Sequence, residues 1–292
     1  AFVHVNTTTK YLYYKLEISK IYISSGGATY ARIGEIELYA HEEGSGSLDT
    51  TLKSVYNVPA TTGTQLEVYY DGQDYSVMPT VGSASVTDKA GGDQTGTPGT
   101  GVSFDSTYKA FVFDGTANGK ITGTHGLGTG TGITPTISLW FKLNSTGTQR
   151  LVIIGDQNTQ YKSINVTHFN GRIAVDYWLS EVQTPLNSVI AGQWYHLAIV
   201  HKGPGTTATG SQDIYINNVK QALNLHTTHN SNSTFDLQGT GFAIGADPAG
   251  TNPLTGSIAN FRLYSKALNA GQVQELYDYQ KDYFLGSKSQ VT

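Results

Sequence analysis

The feature that most limits how this chain can fold is the stretch from Thr255 to Tyr277, where an alternating strand runs directly into a capped helix. Ile258, Phe261 and Leu263 are apolar, Asn260, Arg262 and Tyr264 are polar or amphipathic, and Gly256 interrupts the chain just before them. Such alternation gives a strand one buried and one outward side. Further on, Asn269 is placed to cap a helix, and Gln272, three residues later, to close a capping box by reaching back to the cap's own amide. Val273, Leu276, Tyr277 and Gln280 then recur at helical spacing. The rest of the chain reads as strands and turns, so a sheet protein closed by one short helix is expected.

Composition agrees with that expectation. Charged residues make up 14% of the 292 residues, against about 25% in an average globular protein. The 34 glycines and 19 tyrosines suit turns and paired strands better than helices. A net charge of −4 supplies no basic surface for nucleic acid or anionic lipid. The longest apolar runs, such as Leu151–Ile154, fall far short of the ~20 residues that cross a bilayer as a helix. The chain is therefore expected to be soluble. The absence of cysteine excludes a disulfide scaffold, a Cys-ligated zinc site and a thiol nucleophile together.

The segment Gly256-x-Ile258-x-x-Phe261-Arg262-Leu263-Tyr264-x-Lys266-Ala267-Leu268, followed by a terminal helix, resembles the end of a laminin-G-like, concanavalin A-like jelly roll. Other stretches resemble the same family in the same order. Phe111–Gly115 is similar to its opening strand, Ile137–Phe141 to its central strand, Gly192–His201 to its W-x-H-x-A strand, and Asp213–Asn218 to the hairpin that follows. The resemblance implies an all-β, two-sheet antiparallel jelly-roll sandwich over residues 66–282, with a short C-terminal helix and a 283–292 extension. Turns every 8–15 residues match that architecture.

Ahead of it, Tyr11–Ser24 and Ala31–Ala40 alternate as two strands of an extra N-terminal β-hairpin. They resemble the closing strands of a discoidin-like, galactose-binding-like domain, of which residues 1–45 would be the end. Residues 46–65 are taken as linker, following the Gly/Ser-rich run His41–Ser47. Residues 82–101, rich in Gly, Thr and Asp, read as a long surface loop or tether, and Gly123–Gly132 as a hairpin loop. The start at Ala1 and the end at Thr292 read as those of a processed product or a piece of something longer.

Chemistry is sparse along the strands. Glucanases of this fold carry acids at alternate positions of one strand. Here the acids of the jelly roll, Asp114, Asp156, Asp176, Glu181, Asp213, Asp236, Asp247 and Glu275, do not pair at i, i+2 or i, i+4. No Gly-x-Ser-x-Gly elbow activates a serine, and no Gly-Lys-Ser/Thr ending marks a phosphate loop. His196 and His201, five apart on one strand, should face opposite sides. Relatives of the laminin-G type often hold calcium at a sandwich rim. Asp114, Asp156 and Asp247, each beside a turn, are the candidate ligands. Ala259-Asn260, standing where relatives carry acids, argues against an inherited site, and Asp beside Gly or Pro is also an ordinary turn residue.

Sugars stack on aromatic faces while amides and carboxylates satisfy their hydroxyls. Asp176-Tyr177-Trp178, with His168 and Arg172 on the preceding hairpin, has that chemistry. Trp140 and Trp194 fall in the core-strand motifs and are expected to be buried. Asn6, Asn144, Asn165 and Asn232 head glycosylation sequons. The resemblances together imply a non-enzymatic adhesion or carbohydrate-binding module of a larger extracellular or virion-surface protein, with glycans or glycoproteins as partners. Such pairings are also loosely similar to surface and fibre proteins of large algal DNA viruses. The second reading, motivated by the truncated-looking ends and the orphan hairpin, is a self-assembling structural subunit of an extracellular filament or virion appendage. A glycoside hydrolase is the third reading.

Overall fold

A computed structural model describes residues 66–72, 85–90, 94–178, 180–203, 211–230 and 234–286. The N-terminal hairpin, the linker, Asn6 and Asn232 lie outside them. The strands run in chain order as β1 Leu66–Tyr70, β2 Thr97–Pro98, β3 Val102–Asp105, β4 Ala110–Asp114, β5 Ile121–Thr124, β6 Thr136–Leu143, β7 Gln149–Gly155 and β8 Ser163–Phe169. There follow β9 Arg172–Asp176, β10 Ser180–Gln183, β11 Trp194–His201, β12 Gln212–Ile216, β13 Val219–Lys220, β14 Asn224–Asn230, β15 Gly241–Ile244 and β16 Thr255–Tyr264. Among the described residues, one helix, α1, spans Ala270–Leu285.

The strands form two antiparallel sheets, confirming the expected sandwich. Sheet one has the order β13-β12-β11-β6-β16-β4-β3, with β1 also paired to β16. Sheet two has the order β14-β10-β9-β8-β7-β15-β5-β2. Strand β16 sits at the junction: Thr255–Ile258 pair with β4, Phe261–Tyr264 with β1, and the register shifts between Ala259 and Arg262. Asn260 absorbs that bulge at φ +52°, a conformation asparagine adopts more readily than most residues. The alternating apolar residues of both sheets meet between them. Ile137, Leu139 and Phe141 of β6 and Leu197 and Ile199 of β11 face Val166, Val175, Val182, Phe242 and Ile244 of sheet two.

The opposite side of sheet one is also buried. Trp140, Trp194 and Ala259 gather with Tyr283 and Phe284 of α1, and Ala198, Val200 and Tyr264 with Val273 and Leu276. That double cover explains why every residue of β11 is buried. The capping box forms as expected: Asn269 Oδ1 accepts from the Gln272 amide at 2.9 Å, and Gln272 Oε1 accepts from the Asn269 amide at 2.9 Å. The helix is longer than the sequence suggested. It runs past 282 because Tyr283 and Phe284 are buried, with the Phe284 ring stacked 4.4 Å from that of Trp140.

Two loop expectations need correction. Gly123–Gly132 begins as the last two residues of β5 in sheet two and leads on toward β6 of sheet one, so it crosses between sheets instead of closing a hairpin. Gly130 anchors the crossing by exchanging backbone hydrogen bonds with Leu237 at 2.8 and 3.1 Å. The described parts of 82–101 are fixed, not a loose tether. Val86 bridges Gly96, and the buried Asp88 carboxylate accepts from the amides of Tyr69, Ala90 and Gln94.

Candidate functional site

The outward side of sheet two carries the chemistry. Inward residues Ile173, Val175 and Tyr177 alternate with outward Arg172, Ala174 and Asp176 along β9. A tight turn at Asn170-Gly171, both left-handed at φ +49° and +72°, sets β8 beside it. The register then lays the outward residues in rows. Glu181, Asp176, Asn165 and Ile153 stand across from one another on β10, β9, β8 and β7. Gln183, Ala174, Thr167 and Arg150 form the next row, and Arg172 and Phe169 a third. Four strands by three rows make a patch of about 14 by 14 Å.

Hydrogen bonds tie this patch together. Arg150 Nη1 donates to Thr167 Oγ1 at 2.6 Å, and Arg172 Nη1 to Gln183 Oε1 at 2.7 Å. Gln183 Nε2 donates in turn to Glu181 Oε1. The Nε–H groups of both arginines are buried without a hydrogen-bond partner. Burial lowers the pKa of the Arg150 guanidinium, and the carboxylates of Asp247, Asp176 and Glu181 oppose that shift. Asp176 and Glu181 are cross-strand neighbours, where like charges repel unless a cation lies close. Arg150 supplies it.

Trp178 stands at the end of β9, in a turn closed by a 2.9 Å bond from the Tyr177 amide to the Ser180 carbonyl. Its side chain is 38% exposed and its backbone sits at φ +60°, a conformation costly for a bulky residue. Tyr161, also left-handed at φ +61°, donates its amide to Tyr177 O at 3.0 Å and brings a second aromatic residue to the same turn. At the far end of the sheet, Thr146, His168, Asn170, Asn187, Val189 and Ile190 line a hollow of about 360 Å³. The exposed side chains of Phe169, Leu186 and Ile190 belong to that end.

The five residues read from the sequence as one ligand site therefore separate. Asp176 and Arg172 share the outward patch and Trp178 borders it. Tyr177 points the other way: it is 0% exposed, packed on Phe235, with its hydroxyl bonded to Gln212 and His201 in the core. His168 lies about 17 Å from Trp178 along the antiparallel strands. Both its ring nitrogens serve the fold: Nδ1 donates to Gly147 O at 3.0 Å and Nε2 accepts from the Gly171 amide at 3.1 Å. The patch adds Arg150, Asn165, Thr167, Glu181 and Gln183, which strand-by-strand reading did not join.

The three calcium candidates do not gather into one group. Asp114 accepts from the amide and hydroxyl of Thr116, Asp156 from Asn158 and Thr159, and Asp247 from Thr251. Each closes its own turn. Asp156 follows the end of β7 opposite to Arg150, which faces Asp247. Among the described residues, no group of three or more His, Cys, Asp or Glu side chains could hold a metal. Of the sequons, Asn144 is exposed. Asn165 is only 7% exposed, with Nδ2 donating to Ser163 Oγ and Asp176 O, so a glycan there would break the patch. His196 and His201 do face opposite sides, against Trp140 and Phe235 respectively, and Trp140 and Trp194 are buried as expected. No described helix is long and apolar enough to cross a membrane.

Two antiparallel sheets and the terminal helix define a lectin-like sandwich. More than half of the chain, residues 113–274, matches the laminin G type model of the concanavalin A-like lectin/glucanases superfamily, and the chain belongs to that family. No curated protein matches it in sequence. Among solved structures it is similar to the ligand-binding domain of botulinum neurotoxin serotype D in complex with N-acetylneuraminic acid. That match has 14% identity and a TM-score of 0.51, covering 75% of this chain and 53% of that one. The binding domain of Paraclostridial mosquitocidal protein 1 matches at 16% identity and TM-score 0.53, over 73% and 52% of the two chains. The chain thus spans about half the length of the toxin domains it matches. Domain 4 of an extracellular arabinanase from Geobacillus stearothermophilus, in complex with arabinotriose, matches at 20% identity and TM-score 0.51, over 73% of this chain and 98% of that domain. Identity this low establishes the fold alone.

Proposed function

We propose that this chain is a non-enzymatic carbohydrate-binding module of a larger extracellular or virion-surface protein, holding glycan against the outward face of sheet two. The carrying observation is a planar lattice of amide, guanidinium and carboxylate groups bordered by an exposed, backbone-strained tryptophan. Sugar hydroxyls both donate and accept, so a surface presenting both kinds of partner beside an aromatic face suits them. Family membership and neighbours described as binding domains support the reading. A glycan array followed by calorimetry, with and without chelator, tests it. Binding to at least one oligosaccharide is expected, weakened tenfold or more by Trp178→Ala. Silence across the array in both conditions would remove the reading, and loss of binding on chelation alone would bring calcium back.

One observation favours a hydrolase as the second reading: Asp176 and Glu181 face each other across neighbouring strands, where cross-strand side chains approach about 5 Å and a retaining pair needs about 5–5.5 Å between carboxyls. Release of reducing ends from a bound oligosaccharide, abolished by Glu181→Gln, would establish it in place of simple binding.

A further inference from the structure

We infer that the glycan this face accepts is uncharged, and that sugars bearing a carboxylate, such as sialic or uronic acids, are rejected. The inference rests on the carbohydrate-binding reading above and names the ligand class of the same face. Three carboxylates, Asp176, Glu181 and Asp247, act on Arg150, so its positive charge is partly offset from within. Arginine holds a carboxylate best by presenting two parallel N–H groups to it. Neither arginine of the patch is set up to do so. Arg150 commits Nη1 to Thr167, and Arg172 commits Nη1 to Gln183, which is itself drawn to Glu181. The Nε–H of each is buried, which closes to a ligand the Nε–Nη2 edge that a carboxylate would grip. An incoming sugar carboxylate would meet the Asp176–Glu181 pair, a repulsive element of the kind that sets specificity. A chain of net charge −4 offers no long-range attraction to offset it.

Matched probes test this on the full chain: lactose against 3′-sialyllactose, and arabinotriose against trigalacturonic acid, by calorimetry at about 50 mM salt. In at least one pair the neutral sugar should bind ten times or more tightly than its acidic partner. The gap should narrow as salt is raised, because the interaction is electrostatic and partly exposed. Asp176→Asn with Glu181→Gln, its folding checked by thermal melting, should lessen the discrimination. Equal or tighter binding of the acidic member of both pairs overturns the inference while leaving the carbohydrate-binding reading intact. If none of the four probes binds and the wider array is silent, the reading and the inference fall together.

Discussion

The two sheets of the sandwich share one inner core but present opposite outer faces. On sheet one the outward residues are Trp140, Trp194, His196, Ala198, Val200 and Tyr264, and α1 lies over them. Among the charged groups on that side, Arg262 is 1% exposed, with its guanidinium 4.3 Å from the Tyr69 ring centroid and one 3.3 Å bond to Asn260 O. On sheet two the outward residues are arginines, carboxylates and amides, half-buried and joined laterally. Alternation is the same on both sheets. What fills the alternate positions decides whether a face recruits a helix of its own chain or keeps polar groups available to a ligand.

The largest expected effect comes from stripping the covered face. Trp140 is fully buried, stacked on Phe284 at 4.4 Å and on Tyr277 at 5.9 Å. Trp140→Ala should cost about 3–5 kcal/mol and release α1, read as a lower melting midpoint and faster amide exchange over 270–285. Loss of less than 1 kcal/mol would mean that the helix is not held by the aromatic layer, and the contrast between the faces would lose its basis.

Acid should have the next largest effect. Burial, aided by the Arg262 charge, drives His196 down to about 3, and burial drives His125 and His201 down to about 4. These imidazoles are neutral in the folded protein and charge freely once unfolded. Below their ordinary value near 6.5 the unfolded chain binds more protons, so stability is complete above that pH and falls as pH drops toward 4. His196 alone accounts for about 3 kcal/mol of that fall. Replacing it, as His196→Gln, should flatten the melting midpoint between pH 6.5 and 4. An unchanged pH slope in the variant would show that acid enters elsewhere.

How much of this was legible follows from range. The helix start was readable because a capping box is local: Asn269 and Gln272 are three residues apart. The central strands were readable because Ile137–Phe141 and Gly192–His201 carry motifs that resemble the family's. The polar patch was not, since its register is set between strands. Asp176 and Glu181 lie five apart and look unrelated along the chain, yet the Tyr177–Ser180 turn places them opposite each other. Acids at equal distances either side of a four-residue turn were the available signal. Tyr177 misled for a simpler reason: it sits between Asp176 and Trp178, and on a strand adjacent residues point to opposite sides. The joining of Arg150 to this patch depends on β7 pairing β8 across a register shift, which no local pattern announces.

The smallest stability effect is the sharpest test of the polar face. Trp178 occupies φ +60°, where glycine carries no steric cost and a tryptophan bears strain of about 1–3 kcal/mol. With 38% of its side chain exposed, the ring returns only part of that through packing. Trp178→Gly should therefore leave stability within about 1 kcal/mol of the parent, the relieved strain offset by the added freedom of the unfolded chain. Glycan affinity should nevertheless fall tenfold or more, because the aromatic face is gone while the hydrogen-bonding lattice stays in place. A retained strain without a stabilising return is what a binding residue looks like. The opposite result, a loss above 2 kcal/mol with sugar affinity intact, would make Trp178 a structural staple and leave the outward face of sheet two without its aromatic border.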